Sequence, residues 1–238
     1  MSFFCFIIII ETGGNIMTTV VIGADSGVGL EVAKSYGQHG QKVILVSRNQ
    51  DKLDVATKEL NNQHIVTANY VCDVNDFAST DKMLQNLTRQ DQNINNLVFN
   101  VGNKHLDNAL SSTVDLIEKI FETNVLSAIN AAKSFIESTN PDLKRSIIFT
   151  GGGAAIRPSD KASTLSLTKA ALRSYAYTLH EEVAQDDIFV GLVTIQGIIG
   201  SSDEMAPEKV APTYWDLLMK RKQVEAFYPE HVSHSEFD

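Results

Sequence analysis

The chain has 238 residues, 43% of them hydrophobic and 21% charged, which is long enough for one soluble globular domain with a substantial core. Its net charge of −9 at pH 7 argues against a broad nucleic-acid surface or an anionic-membrane surface, because both require clustered lysine and arginine. Two cysteines, Cys5 and Cys72, are too few for a disulfide framework and indicate a reducing, cytoplasmic location.

The most hydrophobic stretch lies at the N-terminus, from Phe3 to Ile10. It is too short to cross a bilayer as a helix, and it lacks the basic region and small-residue cleavage site of a signal peptide. Met17 directly precedes the first predicted strand. We therefore expect residues 1–16 to be an extension outside the fold, and residues 17–238 to form one domain.

The apolar run from Thr19 to Ile22 is followed by three closely spaced glycines and then by a helical pattern. This order predicts a strand, a phosphate-binding loop and a helix, although Gly-x-x-x-Gly-x-Gly differs from the common Gly-x-Gly-x-x-Gly. We expect Gly23 to permit the tight turn, Gly27 to let the backbone approach a pyrophosphate, and Gly29 to let the helix pack closely. The candidate cofactor-binding residues of this segment are Gly23, Asp25, Ser26, Gly27, Val28 and Gly29.

Strands and helices alternate through the rest of the chain. The first helix ends at Gly40, and continuous apolar strands are predicted at 42–47, 97–99, 147–149 and 189–193. Helical patterns occupy roughly 49–61, 76–90, 113–139 and 163–185. Strands that are apolar on both faces belong to a parallel sheet covered by helices on each side. The sequence therefore predicts an α/β protein with a doubly wound parallel sheet, the Rossmann fold, in a single domain.

The C-terminal part changes character between Gly197 and about Pro229. A polar loop and a short helix with Tyr214 and Trp215 predict a substrate cover at about 197–229, over the crevice at the ends of the strands. We favour core contacts over ligand contacts for these two aromatic residues. The close pair His231 and His234 lies in a polar tail, where we expect solvated side chains and no metal site.

From Met17 to roughly residue 220, the chain resembles the short-chain dehydrogenase/reductase family. The family's first motif, Thr-Gly-x-x-x-Gly-x-Gly, matches residues 22–29 with Ile22 in place of Thr. Further matches are Asp73-Val74 for the adenine contact, Asn100-Val101-Gly102 for the Asn-Ala-Gly motif, Asn124 for the proton relay, Gln196-Gly197 for the Pro-Gly turn, and Ser201 for the Thr near the nicotinamide. The resemblance implies an NAD(P)-dependent oxidoreductase acting on a small-molecule substrate. The long helices at 113–139 and 163–185 resemble the family's dimer helices, and imply a homodimer or homotetramer.

Two departures concern the family's catalytic Ser and Tyr. The segment around Lys169 matches the family's Lys, which puts Leu165 at the Tyr position and Gly152 at the Ser position. Leu165 cannot donate a proton, and general acid catalysis typically contributes about 10²–10⁴ in rate. The candidate catalytic residues are Lys169, Asn124 and Ser166, whose hydroxyl is three residues before Lys169 on the predicted helix. Lys169 and Asn124 also suit cofactor binding, which needs no Tyr.

The end of the second strand bears on which nucleotide binds. NAD sites usually place an acid there for the ribose 2′-hydroxyl, whereas this chain has Ser47 followed by Arg48. An arginine suits a 2′-phosphate, so NADP(H) is favoured over NAD(H). Asp25 in the glycine loop acts against this preference, because its carboxylate repels a phosphate.

Other functions remain open at this point. The first alternative is a dinucleotide-binding protein without turnover, acting as a sensor or as a partner subunit. An S-adenosylmethionine-dependent methyltransferase also has a glycine-rich first turn. It ranks last because it requires an acid after the second strand, where Ser47 and Arg48 stand.

Overall fold

The computed structural model describes residues 16–232. Several sequence-based expectations lie outside this range, namely those for the hydrophobic stretch at 3–10, for Cys5 and for His234. Cys72 is a buried free thiol.

Seven parallel strands form one sheet in the order β3-β2-β1-β4-β5-β6-β7. They are β1 (Thr18–Ile22), β2 (Lys42–Ser47), β3 (Thr67–Val71), β4 (Ile94–Phe99), β5 (Arg145–Gly152), β6 (Ile188–Ile195) and β7 (Glu225–Tyr228). The order reverses direction between β1 and β4, which lie side by side with Ile22 opposite Phe99. The predicted doubly wound parallel sheet is confirmed.

Helices cover both faces of the sheet. They are α1 (Gly27–Gln38), α2 (Gln50–Asn62), α3 (Phe77–Gln90), α4 (Val114–Phe121), α5 (Ser127–Ser138), α6 (Ser163–Glu182), α7 (Pro207–Val210) and α8 (Pro212–Lys220). No helix within residues 16–232 is both long enough and apolar enough to cross a bilayer.

Successive residues of the central strands point into two separate cores. Val20 and Ile22 pack into the core beneath α3, α5 and α6, whereas Val21 packs into the core beneath α1, α2 and α8. All three side chains are fully buried. This explains the apolar runs, because a strand covered on both faces has no position for a solvated side chain.

The sequence-based prediction missed both edge strands. β3 leaves most of its residues partly or fully exposed, so Thr67–Val71 lacks the continuous apolar run of the inner strands. β7 has four residues and follows a polar loop, which hid it within the predicted cover.

The single helix predicted over 113–139 is wrong in detail. A π-helical turn, Glu122–Leu126, separates α4 from α5. Such a turn inserts one extra residue into a helix. The change in apolar periodicity is too small for the turn to be predicted from sequence.

The structure confirms core contacts for the two aromatic residues of α8. Tyr214 is fully buried, and its hydroxyl lies 2.7 Å from Thr150 Oγ1. Trp215 stacks on the imidazole of His39 with ring centroids 4.1 Å apart. These contacts join α8 to α1 and to β5.

Candidate functional site

A crevice of about 1040 Å³ opens at the carboxyl ends of β1 to β6. The last residues of these strands and the loops that follow them supply most of its lining. It spans the point between β1 and β4 where the strand order reverses, which is where open α/β sheets bind their ligands.

The glycine loop forms one wall of the crevice. Gly23 has φ +85°, and a Cβ there would lie 2.6 Å from the Asn100 carbonyl oxygen. A Cβ at Gly29 would overlap the Gly23 carbonyl oxygen, so α1 can pack against the turn only with glycine at this position. Gly27 has φ +58° and open space where a Cβ would stand. The loop therefore has the tight turn and the open backbone that a pyrophosphate needs.

The first turn of α1 carries neither an acidic residue nor a side-chain cap from Ser26. Its backbone N–H groups and the positive end of the helix dipole thus meet the crevice without a competing carboxylate from the helix. Together with the glycine conformations, this arrangement fits a dinucleotide's phosphates.

Lys169 reaches the crevice from α6 on the opposite side. Its ammonium donates a hydrogen bond to the Thr150 carbonyl oxygen at 2.8 Å, and the residue is 8% exposed. Leu165 lies one turn earlier on α6 and also lines the crevice. A Cβ at Gly152 would lie 3.5 Å from Lys169 Cγ, which is ordinary van der Waals contact. The Lys169 side chain thus adjoins a leucine and a glycine, neither of which has a side-chain proton to donate.

Asn124 sits in the π-helical turn and is fully buried. Its side-chain amide donates to the Asn103 carbonyl oxygen at 3.0 Å and to Thr168 Oγ1 at 2.9 Å, while its Oδ1 accepts from the Asn103 N–H at 2.6 Å. These three bonds fix the loop after β4 against α6, close to Lys169. The Asn124 side chain therefore positions the site and does not itself line the crevice.

Most of the predicted site residues meet in the crevice. Those that line it are Gly23, Asp25, Ser26, Gly27, Val28, Ser47, Arg48, Asp73, Val74, Asn100, Val101, Gly102, Lys169 and Gly197. Gly29, Asn124, Ser166 and Ser201 do not line it. Gly29 packs behind the loop, and Ser201 is an exposed residue of the turn after β6.

The structure argues against Ser166 as a proton donor. Its hydroxyl donates to the Ala162 carbonyl oxygen at 2.7 Å and accepts a bond from the Ser159 N–H at 3.3 Å. Ser166 is 6% exposed and fastens the start of α6 to the preceding loop. The correction arises because the serine bonds within its own helix, which sequence spacing alone does not reveal.

Two lysines of the lining were missed by the sequence analysis. Lys52 lies in the first turn of α2, whose N-cap is Asn49, and so faces the same end of the crevice as Arg48. Lys104 follows directly after the Asn100-Val101-Gly102 segment. Closeness in sequence to predicted site residues could have identified both lysines. Lys52 follows Arg48 by four residues, and Lys104 follows Gly102 by two.

A buried chain of hydrogen bonds supports the crevice from below. The Asn100 amide donates to the Gly23 carbonyl oxygen at 3.2 Å, and Thr150 Oγ1 donates to Asn100 Oδ1 at 2.9 Å. Because the Thr150 proton is directed to Asn100, the Tyr214 phenol is the donor in its 2.7 Å contact with Thr150 Oγ1. Burial raises the pKa of Tyr214, so the phenol stays protonated and keeps this role. The chain couples β1, β4, β5 and α8 at the site.

The sequence model for short chain dehydrogenases matches residues 17–208. The human very-long-chain 3-oxoacyl-CoA reductase is 29% identical over 180 residues, which cover 72% of this chain and 56% of that protein. The Schizosaccharomyces pombe enzyme of the same name is 30% identical over 185 residues, covering 72% of this chain and 53% of that one. The chain thus spans about half the length of these two curated relatives.

Solved structures share the fold at lower identity. The alcohol dehydrogenase of Thermococcus sibiricus, complexed with 5-hydroxy-NADP, is 18% identical with a TM-score of 0.83, covering 92% of this chain and 99% of that one. A short chain dehydrogenase/reductase of Burkholderia phymatum, in complex with NAD, is 15% identical with a TM-score of 0.82, covering 90% and 89%.

Proposed function

The chain belongs to the short-chain dehydrogenase/reductase family, and from this premise we propose that it is an NAD(P)-dependent oxidoreductase of a small-molecule substrate with a weakened proton relay. One observation carries the proposal: the glycine loop and Lys169 line the same crevice. The loop suits the phosphates of a dinucleotide, and the lysine lies beside the position where a substrate would react.

The residues of the crevice have two roles, cofactor binding and stabilisation of charge on the substrate. A bound nicotinamide dinucleotide supplies or accepts the hydride. The glycine loop would hold the pyrophosphate, and Lys169 would hold a ribose of the nucleotide and place a positive charge near the oxygen that gains negative charge during carbonyl reduction. Asn124 holds the loop after β4 so that this arrangement persists.

The proton for that alkoxide comes from Lys169 or from solvent. Leu165 has no proton to give, and Lys104 and Lys169 are the ionisable side chains that line the described crevice beyond β4, β5 and β6. A reaction without a positioned phenol is slower, by about 10²–10⁴ for the loss of a general acid.

The cofactor is NADP(H) in preference to NAD(H). Arg48 and Lys52 line the crevice beyond β2 and suit a 2′-phosphate through charge and hydrogen bonding. Replacing Arg48 with Ala weakens NADPH binding more than NADH binding. Equal losses for the two nucleotides in a calorimetric titration would contradict this preference.

A second candidate is a dinucleotide-binding sensor or partner subunit without turnover. The observation that favours it is the aliphatic pair Leu165 and Gly152 beside Lys169, which leaves nucleotide binding intact but removes the family's proton donor.

The two candidates separate in one set of measurements. NADPH raises the unfolding temperature under both, because a ligand that binds only the folded chain stabilises it. NADPH oxidation with a panel of aldehydes, ketones and quinones occurs only for the oxidoreductase. Lys169→Met abolishes that oxidation, whereas Lys58→Met, at an exposed lysine outside the crevice, leaves it unchanged. Binding without oxidation supports the sensor, and absence of nucleotide binding overturns both.

We also propose a cytoplasmic homodimer or homotetramer assembled through the helical face of α5 and α6. Leu126 precedes α5 and is 41% exposed, and Leu167 and Tyr177 on α6 are 52% and 37% exposed. Exposed apolar groups on neighbouring helices suit a subunit interface. Light scattering of Leu167→Glu against the unaltered chain tests this assembly, and an unchanged mass would contradict it.

A further inference from the structure

The crevice holds a carboxylate at the end of β2, although that strand itself ends without an acid. Asp25 Oδ2 accepts a hydrogen bond from Ser47 Oγ at 2.8 Å, and Asp25 Oδ1 accepts one from Ser26 Oγ at 3.2 Å. Asp25, Ser26 and Ser47 all line the crevice. The carboxylate of the glycine loop therefore lies next to Ser47, the last residue of β2.

The pairing of β1 with β2 produces this contact. Ile22 lies opposite Val46, so the residues that follow the two strands lie side by side at the carboxyl end of the sheet. Gly23 and Ala24 donate their backbone N–H groups to the Val46 carbonyl oxygen at 2.7 and 3.3 Å, which turns the loop over the end of β2. These backbone bonds fix the loop immediately before Asp25, and the bond from Ser47 fixes the carboxylate itself.

The neighbouring cations leave this carboxylate available to a ligand. Arg48 and Lys52 line the same end of the crevice, yet no ion pair joins either of them to Asp25 within residues 16–232. A carboxylate has acceptor capacity for more than one hydrogen bond on each oxygen. Asp25 can therefore accept the bonds of both serines and of a further donor.

A ribose with two free hydroxyl groups is such a donor, and NAD sites use an acid at the end of the second strand to bind it. A 2′-phosphate at the same place brings negative charge against Asp25, which Arg48 and Lys52 offset. The negative charge of Asp25 therefore suits the free ribose hydroxyl groups of NAD(H), and the positive charges of Arg48 and Lys52 suit the 2′-phosphate of NADP(H).

We propose that Asp25, anchored by Ser47, binds the adenosine ribose in place of the acid that β2 lacks, so that the chain accepts NAD(H) as well as NADP(H). Asp25 is then a specificity-determining residue that limits the preference set by Arg48. This inference rests on the proposed function, because it requires the crevice to bind a nicotinamide dinucleotide.

The test compares NADH and NADPH dissociation constants, measured by calorimetry on the full chain at one ionic strength. Asp25→Asn keeps the size of the side chain and an oxygen for Ser47 but removes the charge. We expect it to weaken NADH by about 10- to 100-fold, as for a lost hydrogen bond to a charged group, and to leave NADPH unchanged or bound more tightly. Asp25→Ser gives a second variant with the same expected direction. Asp51→Asn, an exposed acid of α2 outside the crevice, changes neither affinity.

Ser47→Ala adds a check on the anchoring. It leaves the carboxylate in place but unfastened, so we expect a smaller loss of NADH affinity than in Asp25→Asn. Unliganded unfolding temperatures identify any variant whose fold has changed.

The outcomes separate this inference from the proposed function. Equal changes for both nucleotides in Asp25→Asn, or an unchanged NADH affinity, overturn the role of Asp25. If the unaltered chain binds NADPH but not NADH, the inference fails while the proposed function stands. If it binds neither nucleotide, the proposed function fails, and the inference fails with it.

Discussion

Introducing serine at 152 and tyrosine at 165, where the resemblance leads us to expect them, tests the proposed weakened relay most directly. The double variant Gly152→Ser, Leu165→Tyr places a phenol four residues before Lys169, on the same face of α6. Serine fits at 152, because its Cβ would lie 3.5 to 3.7 Å from the Lys169 side chain. Leu165 borders the crevice, so a tyrosine ring can extend into it without displacing the core.

The expected gain follows from the step that Leu165 cannot perform. A positioned general acid contributes about 10²–10⁴ in rate, or about 3 to 5 kcal/mol of the activation barrier. We expect the gain in kcat for NADPH-dependent carbonyl reduction, with little change in the affinity for NADPH, because the phenol acts on the reacting oxygen and leaves the glycine loop untouched.

A matched control isolates the phenolic proton. The variant Gly152→Ser, Leu165→Phe has the same ring and serine but no hydroxyl group. The assay compares kcat for the two double variants and for the unaltered chain over the same panel of carbonyl compounds. Equal rates for the Tyr and Phe variants would refute the reasoning, and so would a gain that survives Lys169→Met.

Three further substitutions test the support of the site. Gly29→Ala places a Cβ against the turn after β1, and we expect a lower unfolding temperature and loss of stabilisation by NADPH in a thermal melt. Tyr214→Phe removes the donor to Thr150 and lowers the free energy of unfolding by about 1 kcal/mol in urea. Glu225→Gln weakens the 2.7 Å ion pair with Arg173, whose pKa that carboxylate raises, and costs about 2 kcal/mol after allowance for solvent around the arginine. Unchanged unfolding free energies in the last two variants would show that these bonds contribute nothing net to stability.

The inner strands were predictable from sequence because helices cover both of their faces, which favours continuous apolar runs. Val20, Val21 and Ile22 are fully buried on alternating faces, which favours an apolar residue at each of these three positions. The edge strand β3 has no such constraint, since solvent reaches most of Thr67–Val71. Its mixture of polar and apolar residues pairs with β2 without forming a continuous apolar run, so the sequence pattern does not distinguish it from a loop.

The candidate site was predictable where backbone geometry dictates residue type. Gly23 and Gly29 follow from a turn that excludes a Cβ. The Asp25 contact with Ser47 depends instead on strand register, since the two residues are 22 positions apart and meet only because β1 pairs with β2. Ser166 was misjudged for a related reason: spacing placed it near Lys169, but its hydroxyl bonds to its own helix.

We expect nucleotide binding to depend on the glycine loop and Lys169, and a phenolic proton donor to depend on position 165. The ammonium of Lys169 is held by the Thr150 carbonyl oxygen, a backbone group of β5 that is present whatever side chain occupies position 165. A leucine at 165 therefore lacks the phenolic proton of the family's tyrosine without removing the lysine from the site. The same geometry allows a tyrosine introduced at 165 to meet a lysine already in place. If instead Leu165→Tyr weakens NADPH binding as strongly as Lys169→Met does, the lysine depends on its neighbour after all, and the separation of the two roles is wrong.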